Sequence, residues 1–187
     1  NVTFGENGTV KINVTGVAST DLSGNVTVTI DGVSWNGTVN CDGIGSVNVG
    51  ILAVGNYTAE VKYLGNNNYT GDNTTVKVYV SKANASVVGS IANVTFGENG
   101  TVKINVTGVV GTDLSGNVTV TIDGVSWNGA VNSDGIGEVV ISGLAAGNHT
   151  VFIEYFGNNN YTGANTTVNF NIAKANASVV GSIANVT

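Results

Sequence analysis

The sequence predicts an all-β chain built from tandem antiparallel β-sandwiches, each with two sheets and about seven strands. Three features predict it: a 92-residue repeat, an alternation of apolar and polar residues with period two, and turn residues spaced along the whole chain. β-branched residues that alternate in this way between turns are typical of strands with one buried face. No segment sustains the apolar spacing of a helix.

The repeat sets the expected domain organisation. Residues 1–15 return without a gap as residues 93–107, and the two copies differ at 22 of 92 aligned positions. A period of this length is close to the size of one immunoglobulin-like domain and is too long for small solenoid repeats. Because a polar-to-apolar restart follows Lys82, we expect a sandwich truncated at its start over residues 1–83, a complete sandwich over 84–175, and the first strand of a further repeat over 176–187. We expect the chain to be a segment of a longer tandem array.

The differences between the copies are unevenly spread, since 20 of the 22 fall between positions 38 and 81 of the first copy. Recent duplication with patchy gene conversion would produce this pattern. The same pattern would arise if the near-identical half made contacts that recur between copies.

Each expected strand has one inward face. Asp31-Gly32 marks a tight hairpin, because both central turn positions require a positive φ. In the last strand of the first copy, Thr75, Lys77 and Tyr79 take the outward phase. The residues expected to face inward in the first copy are Val10, Ile12, Val14, Val26, Val28, Ile30, Val47, Val49, Leu52, Ala59, Val61, Tyr63, Val76, Val78 and Val80.

One local motif supports the sandwich. Residues 52–57 follow the Leu-x-x-Gly-x-Tyr pattern of a tyrosine corner, in which a phenol bonds back to the backbone where the chain crosses between sheets. The second copy keeps Leu144 and Gly147 but has His149 in place of Tyr57. We expect Tyr57 and His149 to be structural corner residues.

The sequence contains no catalytic constellation, so we do not expect an enzyme. His149 is the only histidine and has no nucleophile or acid at a recognisable spacing. Cys41 is the only cysteine and aligns with Ser133, so the repeat has no built-in disulfide. Lys11, Lys62 and Lys77 take outward phases, which disfavours an isopeptide cross-link inside the core.

No cofactor is expected, although Ca²⁺ stays open as an alternative. The turns at residues 40–43, 66–68 and 132–135 are rich in oxygen ligands. The calcium-loop pattern with its distal glutamate is absent, and Asp72 becomes Ala164 in the second copy. Ordinary turn chemistry accounts for Asn, Asp and Gly at these places.

The charge composition narrows the classes of partner. All six basic residues are lysines, against 12 acidic residues. An acidic chain without arginine is a poor partner for phosphate backbones, so nucleic acid is disfavoured. The hydrophobic fraction of 42% argues against a disordered tail, and no apolar run approaches the ~18 residues of a membrane span.

Asn-x-Ser/Thr acceptors are the most frequent motif, at 18 places. In a secreted protein each exposed acceptor can carry a glycan, although a chain rich in Asn and Thr also forms such triplets by composition alone. The best candidates by expected exposure lie on outward strand phases or in the turn before the last strand: Asn13, Asn68, Asn73, Asn105, Asn160 and Asn165.

The end of each copy resembles a known repeat type. Residues 63–83, with Tyr-Leu-Gly-Asn-Asn-Asn-Tyr followed by Val-Tyr-Val-Ser-Lys-Ala, resemble the end of a bacterial-type immunoglobulin-like repeat, as do residues 155–161 with 172–175. The composition, rich in Asn and Thr and poor in Cys, is similar to that of the large adhesin-like surface proteins of methanogenic archaea. The absence of proline departs from such repeats. The resemblance implies a surface-displayed, multi-copy protein and transfers no catalytic residue.

Two functions are open at this point. The first is a structural repeat of an extracellular, cell-surface protein that forms a stalk or filament, with neighbouring copies of the repeat as partners. Strand exchange between copies is one way to build such a polymer, and its candidate residues are Ala85, Val87, Val88, Ile91, Val94 and Phe96. The alternative is a ligand-binding adhesin module for a cell-surface glycan or protein, with outward apolar candidates Leu64, Tyr79, Phe152 and Phe156.

Overall fold

The computed structural model describes residues 1–183, which form two compact units. Unit 1 comprises Asn1–Ala83 with Asn159–Tyr161, and unit 2 comprises Asn84–Asn158 with the residues from Thr162 onward. Every regular element in the described range is a β-strand. The described residues accordingly include no helix that is long and apolar enough to span a membrane.

Seven strands form unit 1 and eight form unit 2. Those of unit 1 are β1 (Val2–Thr3), β2 (Asn7–Asn13), β3 (Gly24–Ile30), β4 (Val33–Val39), β5 (Ile44–Ile51), β6 (Gly55–Tyr63) and β7 (Asp72–Ser81). Those of unit 2 are β8 (Ser86–Ser90), β9 (Val94–Thr95), β10 (Gly100–Thr107), β11 (Gly116–Ile122), β12 (Val125–Val131), β13 (Ile136–Ile141), β14 (Gly147–Tyr155) and β15 (Ala164–Ala173).

Unit 2 is a two-sheet sandwich, which confirms the predicted fold class. One sheet has the order β13-β10-β8, and the other has the order β12-β11-β14-β15-β9. All neighbours are antiparallel except β9, which pairs in parallel with β15. The start of the unit is therefore shared between the two sheets, since β8 lies at the edge of one sheet and β9 at the edge of the other.

The core of unit 2 follows from the alternation in its sequence. In β10, Val102, Ile104 and Val106 are buried, while the lysine, asparagine and threonines between them are exposed. The facing layer comes from β11 and β14, whose buried residues include Val120 and Ile153. Burying one such side chain contributes about 1.5–3 kcal/mol, so this packing stabilises the unit.

The hairpin predicted at Asp31-Gly32 is confirmed. Asp31 has φ 48° and Gly32 has φ 81°, which is the pair of positive values that a two-residue type I′ turn requires. Ile30 and Val33 form the pair that closes the turn. The second copy repeats the turn at Asp123 and Gly124.

Unit 1 has the same sandwich order but lacks one edge strand. Its strands run β1-β7-β6-β3-β4-β5-β2, and a single residue pair, Val39 with Gly45, joins the two layers between β4 and β5. In unit 2 the equivalent of β2 is β10, which has β8 on one side and β13 on the other. In unit 1, β2 is the last strand of its sheet, because no described strand takes the place of β8.

The missing strand changes the burial of β7. Val76 was expected to face the core, but 41% of it is exposed. In unit 2, β8 packs against β15, the equivalent of β7, and Val168 at the matching position is half-buried. Val76 therefore keeps the expected inward phase, but no described strand covers it in unit 1.

The described residues that follow β15 are exposed. Residues 174–183 form no strand, and Val179 is 96% exposed. The first strand of a further repeat was expected over residues 176–187; residues 176–183 form no strand, and 184–187 lie outside the described residues. A single strand without a pairing edge is not stable in water.

We predict that unit 1 unfolds at a lower urea concentration than unit 2. Five inward positions carry a smaller side chain in unit 1, at a cost of about 0.8 kcal/mol for each missing methylene; the pairs are Val49/Ile141, Ala59/Val151, Val61/Ile153, Val78/Phe170 and Val80/Ile172. Each unit holds one tryptophan, Trp35 or Trp127. Fluorescence of the Trp127→Phe variant reports unit 1, and that of Trp35→Phe reports unit 2. Coincident transitions, or an earlier transition in unit 2, would contradict the prediction.

Candidate functional site

The described part of the chain brings together no reactive or metal-binding cluster. Among residues 1–183, no group of three or more His, Cys, Asp or Glu side chains is placed to hold a metal ion. Cys41 is free and exposed. The features that can carry function are therefore the turns, the corner, the exposed asparagines and the sheet edges.

The oxygen-rich turns use their side-chain oxygens on their own backbone. Asn40 Oδ1 accepts hydrogen bonds from the N–H groups of Asp42 and Ile44, at 3.0 and 2.9 Å. Asn132 repeats this arrangement in the second copy with Asp134 and Ile136. These bonds fix the turns before β5 and β13, as the turn interpretation of their sequence predicts.

Asn66 joins two loops of unit 1 through its amide. Its Oδ1 accepts from the N–H groups of Asn68 and Tyr69, and its Nδ2 donates to the carbonyls of Asp21 and Ser23. Because a carboxylate cannot donate, only an amide satisfies all four bonds. The sequence around Asn66 predicts only a turn, so the bridge between the two loops is visible only in the structure.

A neighbouring aspartate has a lowered pKa for a local reason. The N–H of Ser23 donates to Asp21 Oδ1 at 2.8 Å, and this bond holds the pKa of the Asp21 carboxyl below its ordinary value. Ser115 does the same for Asp113 in unit 2. Since the folded pKa is the lower one, the stabilisation is present at neutral pH and is lost as the pH falls through the folded value.

The two corner residues make different contacts. Tyr57 Oη donates to the carbonyl of Ala53 at 2.9 Å. His149 places Nε2 2.8 Å from the carbonyl of Ala145 and Nδ1 2.8 Å from Asp123 Oδ2. The imidazole is buried, and its ring centroid lies 5.5 Å from that of Phe170. His149 thus keeps the hydrogen bond to the backbone that Tyr57 makes in unit 1, and it adds a contact with the Asp123 carboxylate of the β11–β12 turn.

The candidate glycosylation residues lie on different surfaces. Asn13 in β2 and Asn105 in β10 are exposed on outward strand phases, and Asn68, Asn73 and Asn165 are exposed as well. Asn160 is half-buried, which makes it the least accessible of the six. Whether any of them carries a glycan stays a prediction.

Asn105 lies between two exposed aliphatic side chains. It pairs with Ile136 in β13 and with Val88 in β8, and both are more than half exposed. Residues that stand opposite one another on the same face of a sheet have Cβ atoms ~5 Å apart. A glycan on Asn105 would therefore cover apolar surface on both sides.

The candidate inter-repeat residues occupy mixed environments. Val87 is buried, whereas Val88 and Phe96 are exposed. Ala85, Ile91 and Val94 are half-buried. Only Val87 and Val88 lie in β8, which pairs with β10 of the same unit and places Val87 opposite Val106. Val94 lies in β9, and Ala85, Ile91 and Phe96 lie outside the strands.

The four outward apolar candidates for ligand binding are all exposed: Leu64, Tyr79, Phe152 and Phe156. Leu64 and Phe156 occupy the same position of the repeat, directly after β6 and β14. Tyr79 and Phe152 have Asn171 and Glu60 at their equivalent positions, so that part of the surface differs between the copies.

Solved structures show the same fold. The chain is similar to the crystal structure of invasin, a bacterial integrin-binding protein, with a TM-score of 0.56 and 14% identity over 89% of this chain; it spans 36% of that chain. Two more distant similarities are to the fibronectin(III)-like modules of Clostridium thermocellum CbhA (TM-score 0.40, 14% identity, 98% of this chain and 94% of that one) and to the Yersinia pseudotuberculosis adhesin InvE (TM-score 0.39, 17% identity, 91% and 56%). No family model matches the chain, and no curated protein matches its sequence.

The similarity to invasin agrees with the strand order of the units. The chain consists of immunoglobulin-like β-sandwich units, as the sequence predicts. An identity of 14% establishes the fold alone, because one sandwich architecture supports many unrelated functions.

We predict that Tyr57→Phe lowers the free energy of unfolding of unit 1 by about 1 kcal/mol, because it removes the hydrogen bond to Ala53 and leaves the carbonyl unpaired. Tyr79→Phe is the matched control, since Tyr79 lies exposed on the outward face of β7. Urea unfolding followed through Trp35 measures both variants. If the control lost as much free energy of unfolding, the hydrogen bond from Tyr57 to Ala53 would contribute no more to stability than an exposed phenol does.

We predict that Asn13 and Asn105 carry glycans when the chain is produced in a host that glycosylates secreted proteins. Peptide mapping by mass spectrometry measures their occupancy. Asn105→Gln and Thr107→Ala remove the same acceptor by different substitutions, so both should lose the same mass and leave Val88 and Ile136 uncovered. Secretion of a fully unmodified protein would contradict the prediction.

Proposed function

We propose that the chain is a structural repeat of an extracellular, cell-surface protein, in which tandem sandwiches form an elongated stalk or filament that displays or mediates adhesion. The observation that carries this proposal is the recurrence of one strand order 92 residues further along, in a chain whose outward residues are mostly short and polar. A spacer requires repetition of a stable unit and little else.

Several features support a position outside the cell. The 18 glycan acceptors and the exposed Asn13 and Asn105 suit a secreted surface. Adhesins and an integrin-binding protein are among the proteins of similar fold, which agrees with this role. The units depend on apolar burial in a chain with a single cysteine, so their folding does not require an oxidising compartment.

Binding by the repeats themselves is the second candidate function. The observation that favours it is that a large apolar side chain is exposed at the same position of both copies, Leu64 and Phe156. Isolated exposed apolar residues are common on protein surfaces. The structural role is therefore the better supported of the two.

We predict that arrays of two, four and eight repeats lengthen by ~35–40 Å for each added repeat, since each strand of about eight residues spans ~3.3 Å per residue and the turns add the rest. Small-angle scattering and electron microscopy measure the length. Matched arrays with long Gly/Ser linkers between repeats should lengthen less steeply. The end-to-end distance of a flexible chain grows only with the square root of its length.

The same arrays separate the two functions. Particles that stay compact as repeats are added would contradict the stalk. Adhesion that is already complete with two repeats, and is lost in a Leu64→Ser/Phe156→Ser variant, would favour the binding module instead.

A further inference from the structure

We propose that Asn117 in unit 2, and its equivalent Asn25 in unit 1, carry N-linked glycans whose first sugar packs against the exposed apolar side chain beside it, Phe156 or Leu64. The inference rests on the extracellular position proposed above, because this modification belongs to secreted proteins. It assigns the two apolar side chains to the protein's own glycan rather than to an external ligand.

The acceptor in unit 2 lies within a strand and displays both of its required groups. In β11, Asn117 is exposed, Val118 is buried and Thr119 is half-buried. Because side chains alternate across a strand, Asn117 and Thr119 lie on the same outer face. Residues 25–27 repeat this triplet in β3 with the same burial pattern. Neither acceptor is among the six that the sequence favours by expected exposure.

Phe156 stands directly opposite Asn117 on that face. Val118 pairs with Tyr155 in the core, so the next pair along the two strands, Asn117 with Phe156, lies on the outer side. The N–H of Phe156 donates to the carbonyl of Asn117 at 3.1 Å. Residues opposed in this way have Cβ atoms ~5 Å apart. Phe156 is 54% exposed, so much of its ring is open to a sugar on Asn117.

Unit 1 contains the same pair with a different apolar residue. The N–H of Leu64 donates to the carbonyl of Asn25 at 2.9 Å, and Leu64 is 51% exposed. Single exposed apolar residues are common on protein surfaces, so the exposure of Leu64 or Phe156 indicates nothing by itself. The inference is carried by the acceptor that stands opposite this position in both copies.

The loop after Phe156 is held in place by an amide. Asn158 Nδ2 donates to the carbonyls of Asp113 and Ser115, in the segment before β11, at 3.0 and 2.9 Å. The equivalent residue of unit 1, Asn66, makes the same two contacts. Because these bonds fix the loop beside the start of the strand, the protein loses little conformational entropy when a sugar packs there.

The neighbour on the other side makes unit 2 the more favourable site. Asn117 pairs with Ala130 in β12, where unit 1 has Thr38. Ala130 is exposed, so its methyl group adds apolar surface on the second side of Asn117. The same difference removes an acceptor, because residues 36–38 form an Asn-x-Thr triplet and residues 128–130 do not. β12 therefore offers no acceptor for a competing glycan.

The covalent step is the transfer of an activated sugar. Nδ2 of Asn117 forms a bond to the anomeric carbon of a saccharide carried on a lipid phosphate or diphosphate. The bond from that carbon to the phosphate oxygen breaks, the lipid-linked phosphate leaves with the bonding electrons, and Nδ2 loses one proton. No oxidant or reductant takes part. The pyranose then presents a face of C–H groups to the flat ring of Phe156, and its hydroxyl groups stay in water.

The first test measures occupancy and stability on the same material. The 187-residue chain is secreted from a host that attaches N-glycans, and an endoglycosidase trims each glycan to one N-acetylglucosamine. We expect peptide mapping to find this sugar on Asn117. Asn117→Gln should then lower the equilibrium constant for folding of unit 2 about two- to tenfold, measured by Trp127 fluorescence in a Trp35→Phe background. In chain made without glycosylation the same substitution should be neutral.

The second test asks whether Phe156 is the partner of the sugar. In a Phe156→Ser background, the loss caused by Asn117→Gln should shrink to less than about twofold. Phe152→Ser is the matched control, because Phe152 lies exposed on the same outer face but pairs with Thr121 and Thr167 rather than with an acceptor asparagine. In the control background the loss should keep its full size. Nuclear Overhauser contacts between the N-acetyl methyl group and the Phe156 ring report the packing directly.

Three results would overturn the proposal: a secreted chain in which Asn117 is unmodified, an effect of Asn117→Gln that Phe156→Ser leaves unchanged, or an equal coupling to Phe152→Ser. Adhesion of the unglycosylated chain that is lost on Phe156→Ser would overturn it as well, because the side chain would then serve an external ligand. The length of covalent arrays enters none of these measurements, so the proposed structural role can stand or fail separately.

Discussion

The structure depends on the pairing between the first strand of a sandwich and the edge of its second strand. In unit 2 this pairing joins β8 to β10, covers Val106 and brings Gly89 against Ile153. It pairs a row of backbone N–H and C=O groups and closes the apolar layer at the same time. Its contribution to the stability of the unit is therefore larger than its five residues suggest. In unit 1 no described strand takes this place, and Val76 on the inward phase of β7 is exposed.

This strand precedes the rest of its sandwich in the sequence. Each folded unit therefore begins with the strand that closes its edge. The 92-residue period measured from Asn1 therefore differs in phase from the folded unit, which starts near Asn84. Ser86–Ser90 pair with β10 and form β8, whereas the same sequence at residues 178–182 forms no strand and is exposed.

Much of the fold could be predicted from the sequence, because strand periodicity and turn chemistry are local. Asp31-Gly32 specifies its hairpin, and the alternation in β10 specifies which residues are buried. Val76 shows the limit of this reasoning. Its phase gives the direction of the side chain, but its burial depends on a strand from another part of the chain.

The details of the candidate site were harder to predict for the same reason. Asn66 bridges to Asp21 and Ser23, which are more than 40 residues away in sequence. Asp123 reaches His149 across 26 positions. Nothing in the residue types at these positions specifies the partner, since many asparagines and aspartates lie in similar turns. The sequence identified His149 as a corner residue, whereas only the structure reveals the carboxylate beside it.

The identity of the first three long strands in the two units has a consequence for biosynthesis. β2, β3 and β4 have the same sequences as their equivalents β10, β11 and β12, apart from Thr38, which is Ala130 in the second copy. If either set packed onto the other unit's remaining strands, it would make almost the same contacts, so interaction energy alone barely penalises such a misassembled chain. Connectivity and the order of synthesis have to provide the discrimination. A chain that emerges from the ribosome N-terminus first can complete unit 1 before β10 exists, which makes vectorial synthesis the natural protection for an array of near-identical neighbours.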